Sequence, residues 1–268
     1  MNRRNLPLAL GAAAALGGLA LPAQAQTQAA SPRLAAIQSA NRLRIGTTGD
    51  FNPMSTRDPA TGAYRGHQIE AAEQLARDMN VQPVFVPAEW RTLINGLVAD
   101  QYDVVFTGTS MSMARAMAAS FTIPWGRTTF FPLARRRDAA RFTSWEQLNQ
   151  RNVTIGTNLG TTMEQWVQQA LPNATLRRVE SPARDWQELL AGRVDLTMST
   201  TIEAAFLTRE YNDLVPVLAD QARNPIPMAF MAPLNDPVFL NVLNAWVTMR
   251  QASGFFAELN QRWNIVQG

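Results

Sequence analysis

An internal echo limits the architecture of this chain more than any other feature. Ile45-Gly46-Thr47 returns as Ile155-Gly156-Thr157, and LINGLVADQYDVVFTGTS returns in shortened form as LLAGRVDLTMSTT. Around each copy the pattern alternates. In the first half LRIGTTG reads as a strand, HQIEAAEQLARDM as an amphipathic helix, VQPVFVP as a strand, WRTLINGLVADQ as a short helix and YDVVFTG as a strand. In the second half RNVTIGTNLG, ATLRRVE and VDLTMST read as strands, separated by the helices TTMEQWVQQAL and ARDWQELLAG. Strands alternating with helices predict mostly parallel sheets covered on both faces. The repetition predicts two small lobes of like design. Asp103 and Asp195 stand at corresponding strand starts, where they hold turns.

The remaining chain is too short for a third lobe. IPMAFMAPLND reads as a strand with a turn. PVFLNVLNAWVTMRQ reads as a helix with Pro237 in its first turn, and its apolar face is expected at Val238, Val242, Ala245, Trp246 and Met249. GFFAELNQRWNI is a last helix. The economical topology returns to the first lobe, so that two crossovers join the lobes and a cleft lies between them. The expected organisation is a leader over 1–25, lobe 1 over 26–131, lobe 2 over 132–228, and a return to lobe 1 over 229–268. The leader reading rests on Arg3 and Arg4, an Ala/Leu/Gly run, and Ala23-Gln24-Ala25. That is the layout of a secretory signal peptide cleaved after Ala25, and the arginine pair also suggests the twin-arginine route. The expected location is the periplasm.

Composition closes several chemistries. There is no cysteine, no lysine and a single histidine, His67. Disulfides, thiolate metal sites and Schiff bases are excluded, histidine-rich zinc sites and Ser-His-Asp triads are not expected, and neither metal nor cofactor is expected. The net charge is only +3 and the arginines are dispersed, so no nucleic-acid partner is expected. A monomer is the expected state.

Open α/β sheets bind ligands beyond the carboxyl ends of their strands. Arg115 lies there, in FTGTSMSMARAMAASFTIPW, as the only charged residue of that stretch. Ser112 is a good helix cap, which puts Arg115 in the first helical turn. A cation at that end costs up to about 1 kcal/mol unless an anion compensates it. A ligand carboxylate would do so through the guanidinium fork; exposure, or a protein acid, is the alternative. On the other lobe, Thr161 and Thr162 start a helix whose free amides suit an anion. Glu164 has two readings at this point: a capping residue, or a desolvated general acid. Phe51, Trp90 and Trp125 stand at strand ends, where they either wall the cleft or pack in the core.

Taken in order, LRIGTTGDFNPMS, YRGHQIEAAEQLA, YDVVFTGTSMSMARAMAASFTIPW, VTIGTNLGTTMEQW and RVDLTMSTTIEA resemble the bacterial extracellular solute-binding proteins of family 3, over about residues 40 to 266. The resemblance implies a two-lobed periplasmic-binding-protein fold of type II: two mostly parallel sheets, two hinge strands and a ligand cleft. It implies a small-molecule ligand and a permease of an ABC uptake system as partner. Arg115 would grip a ligand carboxylate, helped by Gly108, Ser110 and Thr162, with Phe51 as an aromatic platform and Trp125 in place of the family's tyrosine. Thr200 replaces the acid that holds an amino group, which argues for an organic anion over an ordinary amino acid. TTGDF, AEW, GTSMSMAR, FTIPWGR and NLGTTME are similar to the exported cyclohexadienyl dehydratase branch, which acts on prephenate or arogenate. That likeness implies Glu164 as catalytic acid and Trp90, Arg115, Arg127 and Asn158 as pocket groups. The branch's acid is lost at Thr200 and its lysine at Met228. On those losses a non-catalytic receptor is expected ahead of the enzyme.

Overall fold

The computed structural model describes residues 31–268. The leader read over 1–25 lies outside the described residues. The chain forms two α/β lobes, each around a mixed sheet. The sheet of the first lobe runs in the order Gln82–Pro87, Arg42–Thr47, Val104–Val105, Met231–Ala232, Ser120–Phe121. Its first three strands are parallel, with Ile45 opposite both Phe85 and Val104. The helices His67–Asp78 and Leu93–Val98 make the crossovers between them. Ile69, Ala72, Leu75 and Ala76 face inward along His67–Asp78, as the 3.6-residue periodicity requires.

The second sheet runs Thr175–Val179, Thr154–Asn158, Leu196–Thr200, Gly126–Arg135, Leu214–Pro216, and Arg223–Met228 also pairs with Gly126–Arg135. Phe130, Ile155, Leu196 and Met198 build the core on one face. Leu133, Leu189 and Leu207 build it on the other. The two lobes repeat one another down to single hydrogen bonds. Asp103 Oδ2 accepts from the Arg44 amide at 2.9 Å, and Asp195 Oδ2 accepts from the Thr154 amide at 2.9 Å. The repeated glycines differ in purpose. A Cβ on Gly46 would lie 2.7 Å from the Tyr102 ring, whereas one on Gly156 would meet Asp185 and Val194 at an ordinary 3.4 Å.

Two connectors cross between the lobes side by side. Gly126 pairs with Met228, Arg127 with Pro227 and Thr128 with Ile226, all antiparallel. The Trp125 amide donates to the Met228 carbonyl at 3.0 Å and the Thr122 amide to the Phe230 carbonyl at 3.0 Å. These entering strands make the sheets mixed, because each joins its parallel strands from the opposite direction. Two paired connecting strands of this kind make a hinge.

Two elements that shape the cleft were not read from the sequence. Thr201–Glu210 is a helix that begins at the last residue of a strand, with Thr200 capping it by accepting from the Glu203 amide at 3.1 Å. No turn residue separates strand from helix, so no punctuation marks the start. A three-stranded flap, Asp50–Phe51, Ser55–Arg57 and Tyr64–Arg65, carries Asp50 and Phe51 to the cleft. The helix Pro237–Ala252 buries Phe239, Leu243, Trp246 and Val247; of the expected face only Trp246 is among them, and Met249 is exposed. The apolar arc of the helix is broad, and its bulkiest aromatic side chains took the core. None of the described helices is long and apolar enough to cross a membrane.

Candidate functional site

The lobes close on a narrow cavity between them. Phe51, Trp90, Gly108, Ser110 and Arg115 line it from the first lobe. Thr161, Thr162, Met163, Arg184 and Thr200 line it from the second.

Arg115 is 6% exposed. Ser112 caps its short helix by accepting from the Arg115 amide at 3.3 Å. The guanidinium donates from Nη1 to the Ser110 carbonyl at 3.0 Å and from Nη2 across the cleft to the Gly160 carbonyl at 3.0 Å. It makes no ion pair among the described residues, and burial draws its guanidinium down to about 10. A buried cation balanced only by carbonyl dipoles is costly, and a bound anion removes that cost.

The walls are aromatic. Phe51 and Trp90 meet edge to face, with centroids 5.9 Å apart. Trp90 is fixed by its Nε1, which donates to Asp50 Oδ1 at 2.9 Å. Gly108 has φ +83°, and a Cβ there would lie 2.8 Å from the Phe51 ring. Its absence lets the platform approach the strand end.

On the facing lobe, Thr161 caps the helix Thr162–Ala170. Its hydroxyl accepts from the Glu164 amide at 3.2 Å and donates to the Asn158 carbonyl at 2.7 Å. The Glu164 carboxylate takes the Gly160 amide at 2.7 Å and Arg178 Nε at 2.5 Å. It therefore supports the loop whose carbonyl receives Arg115, and it is not among the residues lining the cavity.

Three other residues singled out in the sequence stand away from the cavity lining. Trp125 is buried in the first lobe, 4.9 Å from the His67 ring and stacked with Phe230 and Phe256. Arg127 is exposed in the connector, its amide donating to Gln267. Asn158 is buried and committed to the backbone, donating to the Ala183 carbonyl at 2.9 Å and accepting from the Asp185 amide at 3.3 Å.

Sequence reasoning missed Arg184. It occupies the cap position of the helix Asp185–Leu190, so the signal was the one that picks out Arg115: a cation at a helix start. Its Nη2 donates to Glu203 Oε1 at 2.6 Å, and its Nη1 stands 3.5 Å from Asp50 Oδ2 on the other lobe. Burial works against its charge, but Glu203, Asp50 and Asp185 outweigh that and hold the guanidinium above its ordinary value. Burial pushes the Glu203 carboxyl up to about 7, with Asp185 adding to the push and Arg184 opposing it. No cluster of potential metal ligands exists among the described residues.

Comparison with known proteins bears on this geometry. Cyclohexadienyl dehydratase of Pseudomonas aeruginosa is 31% identical over 249 residues, covering 93% of this chain and 92% of that protein. The L-cystine-binding protein TcyJ of Escherichia coli is 24% identical, over 85% of this chain and 84% of its own. The crystal structure of an ancestral amino acid-binding protein, described as a precursor of cyclohexadienyl dehydratase, superposes with a TM-score of 0.80 at 30% identity. It covers 86% of this chain and 98% of its own. The near-full-length match to an enzyme corrects the expectation of a non-catalytic receptor: the losses at Thr200 and Met228 do not outweigh it. The signature of the bacterial extracellular solute-binding proteins, family 3, matches residues 43–266, and the chain belongs to that family.

Proposed function

We propose that this protein is a periplasmic lyase of the cyclohexadienyl dehydratase kind, which takes a small cyclic carboxylate substrate into the cleft between its lobes. The observation that carries this reading is Arg115: a cation buried in an aromatic-walled cavity, with no ion-pair partner among the described residues. The enzyme relative supplies the reaction class. The leader read over 1–25 supports export.

In this chemistry the ring carboxylate leaves as carbon dioxide, and its electron pair moves into the ring. The ring hydroxyl departs as water with one added proton, and the ring becomes aromatic. Arg115 would hold the side-chain carboxylate, and the helix start at Thr162 would add amide donors. Phe51 and Trp90 would wall the ring and exclude water, which strengthens every charge interaction inside. Glu164 is the residue we assign to proton delivery. Its bond to the half-exposed Arg178 must give way when substrate enters, while its second oxygen keeps the Gly160 loop in place.

The test is direct. Purified protein is incubated with prephenate and with arogenate, and phenylpyruvate or phenylalanine is followed by absorbance and chromatography. Turnover of at least one substrate, abolished by Glu164→Gln, is expected; the glutamine still accepts from the Gly160 amide, so the loop is kept. No turnover of either substrate would overturn the reading. Undiminished turnover in the variant would remove Glu164 from the mechanism.

A further inference from the structure

Asp50 has no task in the scheme above, yet both of its oxygens are engaged at the wall of the cleft. Oδ1 accepts from Trp90 Nε1 at 2.9 Å, within the first lobe. Oδ2 accepts from the Ser181 hydroxyl at 2.9 Å and stands 3.5 Å from Arg184 Nη1, both on the second lobe. Arg184 is balanced within its own lobe by Glu203 and Asp185, so Asp50 meets a fixed cation and not a free one.

Strand alternation puts Asp50 there. Gly49, at φ +68°, turns the chain into the short strand Asp50–Phe51, which pairs with Ser55–Arg57. Successive side chains of a strand point to opposite faces. Phe51 lines the cavity, and Asp50 lines the outer groove between the flap and residues 182–187. Trp90 needs an outside hold. It lies in the connection between Gln82–Pro87 and Leu93–Val98, outside any strand or helix, so no regular backbone fixes its ring.

Two other tryptophans of the first lobe donate to carboxylates. Trp246 Nε1 donates to Asp78 at 2.7 Å, and Asp78 also accepts from Arg250. Trp263 Nε1 donates to Glu70 at 3.0 Å, and Glu70 also accepts from Arg262. In both, the second partner of the carboxylate belongs to the same lobe. At Asp50 it belongs to the opposite lobe.

We propose that Asp50 is the positioning residue of the aromatic wall: one oxygen holds Trp90, and the other makes that hold depend on closure of the lobes. This rests on the cleft being the substrate site. Closure brings Ser181 and Arg184 to Oδ2, which fixes the carboxylate plane and the direction in which Oδ1 meets the indole N–H. When the lobes part, Oδ2 returns to water and the carboxylate is free to turn with the ring it holds. The wall is therefore set against the substrate ring as the cleft shuts.

The relay is measured first without ligand. Protein carrying 15N-labelled tryptophan gives one indole signal for each of its seven tryptophans, and Trp90→Phe identifies that of Trp90. Ser181 does not bond to Trp90, yet Ser181→Ala should move the Trp90 signal and leave those of Trp246 and Trp263 in place. In an Asp50→Ala background nothing links the two, and the same substitution should leave the Trp90 signal unmoved. Asp50→Asn keeps an acceptor for the indole but loses its attraction for Arg184. It serves as the background if Asp50→Ala does not fold, and the response to Ser181→Ala should then fall to less than about half.

Binding is measured by calorimetry with 1-(carboxymethyl)cyclohexane-1-carboxylate, which is unreactive because it carries no leaving hydroxyl. Asp50→Ala should weaken it about fivefold or more, and Asp50→Asn by less. A Trp90 signal that ignores Ser181→Ala, or one that responds fully without the Asp50 carboxylate, overturns the proposal. So does Asp50→Ala with native affinity, or with a loss no greater than that of Asp50→Asn. If the native protein does not bind the probe, the carboxylate site is refuted, and the indole signals alone decide on the relay. Prephenate or arogenate turnover without the relay sinks only this inference, and the relay without turnover sinks only the lyase reading.

Discussion

Arg115 in one lobe donates to the carbonyl of Gly160 in the other, Nη2 to O at 3.0 Å. The bond ties the anion-seeking cation to the closure of the cleft. Gly160 is held in turn by Glu164, which accepts its amide at 2.7 Å. Substrate grip, lobe closure and the assigned acid thus share one short run of atoms. Two further contacts close the same face: Ser181 donates to Asp50 Oδ2 at 2.9 Å, and Arg91 lies 3.6 Å from Glu180. The Arg91–Glu180 pair is exposed and contributes little.

Arg115→Met should weaken binding of 1-(carboxymethyl)cyclohexane-1-carboxylate by about 2 to 5 kcal/mol, because the ligand carboxylate would be desolvated without its partner. The unliganded protein should lose less than about 1 kcal/mol, since the variant also removes a buried cation that no acid among the described residues pairs with. Calorimetric titration reads the first effect and urea unfolding the second. A large stability loss with unchanged affinity would make Arg115 a structural residue.

Gly160→Ala should hinder closure without unfolding either lobe. Gly160 has φ +82°, and its Cβ would lie 2.6 Å from the Arg91 Cα and 2.9 Å from the Trp90 carbonyl carbon, both on the opposite lobe. Backbone atoms cannot step aside as a side-chain tip can. The lobes should rest further apart, with a larger radius of gyration in X-ray scattering and affinity for the same dicarboxylate reduced at least about tenfold. A closed scattering profile with full affinity would contradict this geometry.

Much of the architecture was legible because the signals were local and repeated. The echo between Ile45-Gly46-Thr47 and Ile155-Gly156-Thr157 marks equivalent strands, and the paired roles of Asp103 and Asp195 follow from it. Arg115 was legible because a cation at a helix start needs an explanation. Arg184 carried the same signal and was passed over. Its actual partners, Glu203 and Asp50, are distant in sequence. Trp125 shows the opposite failure: a tryptophan after a proline at a crossover looks like a cleft wall, but the C-terminal return brings Phe230 and Phe256 against it. Only the tertiary path decides which side of a connector an aromatic ring faces.

The echoed glycines separate packing from inheritance. Gly46→Ala forces a methyl group to 2.7 Å from the Tyr102 ring. That ring is buried and pinned, since its hydroxyl donates to the Leu93 carbonyl at 2.5 Å. Overpacking of this kind costs about 1 to 3 kcal/mol. Gly156→Ala meets only ordinary contacts and should change stability by less than about 1 kcal/mol, with some gain from a less flexible unfolded chain. Urea midpoints of the two variants give the comparison, and equal effects would mean that the ring has room to move.

Two buried groups should pull the acid stability of the protein in opposite directions. Burial draws the His67 imidazole down to about 4, against a small opposing effect of its bond to Asn260. Its unfolded value is about 6.5. Between these pH values the unfolded chain binds a proton that the folded one does not, so stability falls as pH drops through this window, by about 3 kcal/mol in all. Glu203 acts the other way. Its carboxyl, raised to about 7, takes a proton in the folded state before the unfolded state does, so its contribution rises as pH falls from about 7 toward the ordinary glutamate value near 4.3. The native profile between pH 7 and 4 should therefore be shallow, and the variants should split it. His67→Gln removes the loss and leaves a protein that gains stability relative to the native one on acidification. Glu203→Gln removes the gain and leaves one that loses stability more steeply. Urea unfolding of the three proteins at half-unit pH intervals measures this, and parallel curves would show that neither group is held at its shifted value.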